Sequence, residues 1–192
     1  MGDENTGGAS EPHPHILVLT GETAAGKTTT CRRLARYAAE KGLSPAGIVC
    51  PARFDRGQKV GIFATNLRSQ ETRLLATSIS SPKPGSLGYR FDDSTFAWAN
   101  SALAEALPCD LLIVDELGPL ELEIGQGFTS AFDVLRKGGY RLAVVVVRPR
   151  LLGAFATRIG LPFTVHVIQG VSYEVAEADG GIPSCFHKYF PS

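Results

Sequence analysis

The stretch GETAAGKT, residues 21–28, constrains this chain more than any other. It lies between an apolar run, HILVLT, and a segment, CRRLARYAAEKG, that has the pattern of a helix. A strand that breaks into a glycine-bounded loop and re-enters a helix turns successive backbone N–H groups into one concavity. Gly21 and Gly26 permit backbone angles that a side chain would block. The helix starting near Gly26 adds free donors and the positive end of its dipole, which suit an anion. The pattern G-x-x-x-x-G-K-[ST] therefore predicts a phosphate site formed by Gly21, Glu22, Thr23, Ala24, Ala25, Gly26, Lys27, Thr28 and Thr29. Lys27 is expected to reach the β- and γ-phosphates of ATP or another nucleoside triphosphate, and Thr28 to offer its hydroxyl to Mg2+. Magnesium takes oxygen ligands and keeps several waters, so one hydroxyl and the phosphates suffice.

Such a loop needs a covered sheet beneath it. The runs HILVLT, DLLIVDE and RLAVVVVR are continuously apolar, as in strands buried on both faces of a largely parallel sheet. Helices are predicted over 27–41, 94–107, 127–137 and 149–159, with Ser94 as a cap and Gly42 as a stop. In the first of them Leu34, Tyr37 and Ala38 share one face, while Arg32, Arg33, Arg36, Glu40 and Lys41 lie mostly on the other. AGIVC and KVGIFAT flank the turn-forming cluster FDRGQ and predict a hairpin, and SISSPKPGS has the composition of a loop. PFTVHVI is a last strand. The expected architecture is a three-layer α/β P-loop NTPase fold, a mostly parallel sheet with an inserted antiparallel hairpin. The expected organisation is one domain over 15–192 behind a flexible tail, 1–14.

A second half of the site is expected where LLIVDE ends. Asp115 would stand beside the metal ion, so Thr28 and Asp115 are its candidate protein ligands. Glu116 is placed to orient and deprotonate an attacking water, which makes Lys27 and Glu116 the candidate catalytic residues. Arg53, Arg56, Arg148, Arg150 and Arg158 are candidates for an extra cation at the γ-phosphate, and Arg148 directly follows a buried strand. No N-K-x-D segment is present to read guanine, which favours a loosely specific base pocket.

Charge and cysteine usage narrow the partners. Lysine plus arginine equals aspartate plus glutamate, 19 each, so no global field attracts nucleic acid or an anionic membrane. LLIVD and LAVVVV fall far short of the ~20 residues that a spanning helix needs. Cys31, Cys50, Cys109 and Cys185 are widely spaced, without a CxxC pair, and predict free thiols in a reducing cytoplasm. His13 and His15, in HPH, lack a further ligand and are expected to be solvated. No protein partner is indicated.

Several segments together carry a family resemblance. LLIVDELGPLEL, the hairpin region GIVCPARFDRGQKVGIFATNL, SLGYRFDDSTFAWA and IGLPFTVHVIQGV resemble the small cancer-related nucleoside-triphosphatase family over nearly the whole chain after residue 15. The resemblance implies Mg2+-dependent hydrolysis of nucleoside triphosphates to diphosphates, with broad base tolerance. It assigns the phosphate roles to Gly21–Thr28 and the strand-end roles to Asp115 and Glu116, with Gly118 letting the chain turn away. The chain departs from the family pattern at Ala24, where glycine is usual. It departs again at Pro51, Ala52 and Phe54, where acids and an arginine are usual, and at Leu120, which replaces a methionine. Two alternatives stay open. One is a small-molecule or nucleotide kinase, which needs an acceptor site and usually an arginine-rich lid; the hairpin with Arg53, Arg56 and Lys59 is short for one. The other is a slowly hydrolysing switch that acts through a partner.

Overall fold

The computed structural model describes residues 14–81, 87–169, 186 and 189. Residues 1–13 of the expected tail, including His13, the PKPGS stretch and Cys185 lie outside them. The chain opens with β1 (His15–Thr20), buried after its first residue, followed by α1 (Lys27–Glu40) and β2 (Pro45–Val49). Four antiparallel strands come next: β3 (Ala52–Asp55), β4 (Gln58–Asn66), β5 (Thr72–Ser78) and β6 (Tyr89–Phe91). Then come α2 (Asp93–Ala104), β7 (Cys109–Leu117), a π-helical turn (Leu120–Ile124), α3 (Ser130–Lys137) and β8 (Tyr140–Val147). A short 3-10 turn (Pro149–Leu151), α4 (Leu152–Ile159) and β9 (Thr164–Val167) complete the order.

One sheet runs β6-β5-β4-β2-β7-β8-β1-β9, with β3 attached to β4. The strands β2, β7, β8, β1 and β9 are parallel, and a wing of β3 to β6 continues from β2 with antiparallel pairing. Side chains alternate across the parallel strands. Leu111 and Ile113 of β7 join Leu17, Leu19, Val144 and Val146 in the cluster that packs against Leu34 and Ala38 of α1. Leu112 and Val114 join Ile16, Val18, Val145 and Val147 in the opposite cluster, with Leu103, Phe132 and Phe155 from the other three helices. This two-sided covering is why these strands read as unbroken apolar runs, and it makes the three layers. No described helix is long and apolar enough to cross a membrane.

The insertion is larger than the expected hairpin. The tight turn is Arg56–Gly57, and it joins β3 to β4 inside the cluster read as a turn. Both residues have positive φ, 46° and 81°, the backbone of a turn whose twist suits a hairpin. Strand β2, the expected partner, meets β4 only at Ile48–Asn66 and Val49–Thr65. Strand β5 begins with exposed Thr72 and Arg73, and its last residue, Ser78, opens the stretch read as a loop. The cap of α2 is Asp92, whose carboxylate accepts from the Thr95 N–H at 2.8 Å, two residues ahead of the expected cap. Ser94 instead donates its hydroxyl to Asp92.

Candidate active site

Strand β1 delivers the chain to Gly21, and Gly26, with φ 98°, turns it into α1. Between them Ala24 adopts φ 62°, the left-handed region that the corresponding glycine would occupy without strain. The loop therefore forms with alanine there, held by its two ends. Lys27 is buried, and its Nζ donates to the carbonyls of Gly21 at 2.8 Å and Glu22 at 2.6 Å. Burial lowers the pKa of this ammonium, and the nearby Glu116 carboxylate opposes the shift.

Strand β7 ends opposite this loop, with only β8 between it and β1. Asp115 is 2% exposed, and its Oδ2 accepts from the Cys50 N–H at 3.1 Å. The Thr28 hydroxyl also donates to the Asp115 carboxylate. Burial pushes the Asp115 pKa up to about 6, against the pull of those two hydrogen bonds. Thr28 and Asp115 are thus two adjacent oxygen donors, one of them a desolvated carboxylate in need of positive charge. Glu116 is partly exposed, and Arg148 donates its Nε to Glu116 Oε1 at 2.6 Å.

A cavity of about 650 Å³ joins these groups. Among the expected site residues it is lined by Thr23 to Thr29, Asp115, Glu116 and Gly118. Gly21 and Glu22 are not on its wall and touch the site through Lys27. Of the five arginine candidates only Arg148 lines it. Arg150 pairs with Glu123 at 2.9 Å, Arg158 lies over the Phe132 ring, and Arg53 and Arg56 are exposed on the hairpin.

Arg32 and Glu121, both at the cavity, have no site role expected from sequence, and Lys59 has one only in the kinase alternative. Arg32 was assigned to the outer face of α1, yet it lines the cavity one turn beyond Thr28. The i, i+4 spacing from Thr28 was the available signal. Lys59 of β4 lines it too, with its ammonium 5.3 Å from the centre of the Tyr89 ring. Glu121 is buried, and its carboxylate accepts from the N–H groups of Gly118 at 2.8 Å and Phe128 at 3.0 Å. Burial raises its pKa against those bonds. A side chain at Gly127 would collide with this carboxylate, its Cβ only 1.9 Å from Glu121 Oε1. Glu121 thereby fixes the turn after Glu116, a role no local sequence pattern announces.

Three comparisons bear on this arrangement. The chain matches the model of a family described as NTPase over residues 16–168. It is 34% identical over 141 residues to the nucleoside-triphosphatase THEP1 of Methanopyrus kandleri, covering 71% of this chain and 75% of that protein. It is also 34% identical over 119 residues to the protein of the same name from Methanosarcina acetivorans, covering 61% and 67%. Its fold is similar to the solution structure of a human cancer-related nucleoside triphosphatase, with TM-score 0.59, 23% identity and coverage of 84% of this chain and 90% of that one.

Proposed function

The chain belongs to the NTPase family and is a nucleoside-triphosphatase; we propose that it works at the loop Gly21–Thr28 as a Mg2+-dependent phosphohydrolase of broad base tolerance. The observation that supports this most is the meeting of Lys27 and Thr28 of α1 with Asp115 and Glu116 of β7 in one cavity, from elements distant in sequence. The oxygen-only pair of Thr28 and Asp115 fits magnesium; these two residues would hold it, and when bound it would offset the charge of the phosphates.

Each side chain then has a task. The loop N–H groups and the start of α1 receive the phosphate oxygens. Lys27 exchanges its two carbonyl partners for phosphate oxygens, so its charge is carried to the triphosphate without a large movement. Glu116 accepts a proton from water as the water oxygen bonds to the γ-phosphorus. The bond to the β,γ-bridging oxygen breaks, and the diphosphate leaves with the electron pair. Arg148 holds the Glu116 carboxylate in place and adds positive charge beside the reacting phosphate. The three described cysteines, Cys31, Cys50 and Cys109, are free thiols, which suits a cytoplasmic protein.

The test is phosphate release from ATP, GTP, CTP and UTP with Mg2+ and with a chelator. The four kcat/KM values are expected within about tenfold of one another, since no base-reading contact separates them by more than ~1.4 kcal/mol. All four are expected to vanish with the chelator. Turnover of one nucleotide alone, or turnover that ignores the chelator, would contradict the reading.

A further inference from the structure

Hydrolysis needs room for one water beside Glu116, but the cavity continues well past it. Beyond the acids it opens into a chamber walled by Ile62, Leu75, Tyr89, Phe91, Phe96 and Phe128. The Phe91 and Phe96 rings stack with centres 5.5 Å apart, and Phe96 meets Phe128 edge-on at 5.2 Å, so the wall is a continuous aromatic surface. Phe54 of the hairpin overhangs the same cavity while 65% exposed. The whole volume, about 650 Å³, is that of a small-molecule site.

The sheet order decides which end of a nucleotide this chamber faces. It is built from β4, β5, β6 and α2, with Phe128 from the segment before α3, whereas the phosphate loop follows β1 on the other side of β7. Asp115 and Glu116 therefore lie between loop and chamber. Lys27, Thr28 and Asp115 define the γ-phosphate end, so the nucleoside leaves the loop at the opposite end of the phosphate chain. The chamber faces the side from which a nucleophile attacks.

Its chemistry favours an apolar body over a strongly charged one. The six wall residues named are uncharged, Arg148 is engaged by Glu116, and Arg32 of α1 lines the same cavity. The charge of Lys59 rests on the Tyr89 face, and the Glu121 carboxylate is taken by two backbone N–H groups. We propose that the chamber is an acceptor subsite for an uncharged small molecule with an aromatic or aliphatic body and a hydroxyl directed at Glu116, to which the γ-phosphoryl group passes in place of water. This rests on the reading that the loop holds a nucleoside triphosphate. The acceptor oxygen bonds to the γ-phosphorus as the bond to the β,γ-bridging oxygen breaks. The hydroxyl proton goes to Glu116, and the products are a phosphomonoester and a nucleoside diphosphate.

The experiment follows the γ-phosphate of Mg2+-ATP by phosphorus NMR with the full chain and equal concentrations of 2-phenylethanol, glycerol or AMP. An ATP-only control runs alongside. The expected result is a phosphomonoester of 2-phenylethanol in at least about tenfold excess over that of glycerol, as burial of a ring would give. Phe54→Ser is expected to lower that preference by roughly threefold. Three results would overturn the proposal: equal traces of ester from both alcohols, transfer to AMP instead, or a Phe54→Ser effect confined to KM for ATP. Phosphate release in the ATP-only control is scored separately. Its loss with ester formation intact would overturn the hydrolysis reading and leave the acceptor subsite standing. Loss of both would overturn both.

Discussion

The parallel half of the sheet and the antiparallel wing bury their side chains in opposite ways. In β8 every residue from Leu142 to Val147 is buried, and β7 is buried throughout except for Asp110 and Glu116. In the wing, β3 after Ala52 and the first residues of β4 and β5 are exposed, with Phe54 and Leu74 among the exposed large apolar residues. Charge follows the same division. Asp115 and Lys27 sit buried at the edge of the parallel half with their hydrogen bonds made, while the wing offers the cavity mainly rings and aliphatic surface. The difference teaches that the rigid, doubly covered half is suited to hold the phosphate chemistry. The half-covered wing is suited to shape what comes next to it.

The comparison can be broken first at the phosphate loop. Lys27→Ala is expected to lower kcat/KM for ATP by about 10²–10³-fold or more, the usual scale for losing a charge aimed at a reacting phosphate. Steady-state phosphate release measures it, and a loss under tenfold would remove Lys27 from the chemistry. Two glycines then compare the halves directly. A Cβ at Gly47, between β2 and β7, would lie 2.0 Å from the Ile113 carbonyl oxygen at φ 106°. One at Gly61, in the wing, would lie 2.5 Å from that of Ala76. Gly47→Ala should cost about 4 kcal/mol or more in urea unfolding and Gly61→Ala roughly 2, because the wing can splay where the parallel core cannot. Equal losses would mean that the wing is as rigid as the core.

Asp115 gives a smaller effect with a definite sign. Its folded pKa, about 6, lies above the ordinary 3.8, so the folded state holds this proton more tightly than the unfolded one. The stability contributed by the protonated acid is fully present below pH 4 and is lost as the pH rises through about 6. Asp115→Asn without nucleotide should therefore be more stable than the parent at pH 7.5, by roughly 3 kcal/mol at most, with no difference near pH 4. Thermal unfolding at the two pH values checks this, and a gain that persists at pH 4 would refute it. Ala24→Gly is expected to act least. Relief of left-handed strain, about 1–2 kcal/mol, is offset in part by the greater freedom of glycine in the unfolded chain. A small rise in Tm is the expected outcome, and a fall would show that Ala24 is not strained.

The two halves also differed in how legible they were. Continuous apolar runs announced β1, β7 and β8, and the fold class followed from them because a doubly covered strand carries its burial in its own composition. Lys27 of the loop and the acids after LLIVD were legible by position, and the fold brings them to one cavity. The wing was not legible in this way. Strand β5 is exposed at its start and buries only Leu75 and Ala76, and the turn at Arg56–Gly57 needed an arginine with positive φ, which no propensity favours. Glu121 was equally hidden, because its reason for burial is a backbone N–H seven residues away at Phe128. Arg32 is exposed, as its place on the polar face of α1 implies, and its second property, lining the cavity, depends on the folded chain. The chamber, made by strands that pair across the insertion, depended on contacts that only the folded chain creates.

The most direct measurement on the central claim is Glu116→Gln, assayed for phosphate release and for nucleotide affinity together. Glutamine preserves an oxygen that can accept from Arg148 but cannot take a proton from water. The account predicts Mg2+-ATP binding within about threefold of the parent and hydrolysis lower by about 10²-fold or more. Hydrolysis at the parent rate would show that another group activates the nucleophile, and the paired roles given to Glu116 and Arg148 would be wrong.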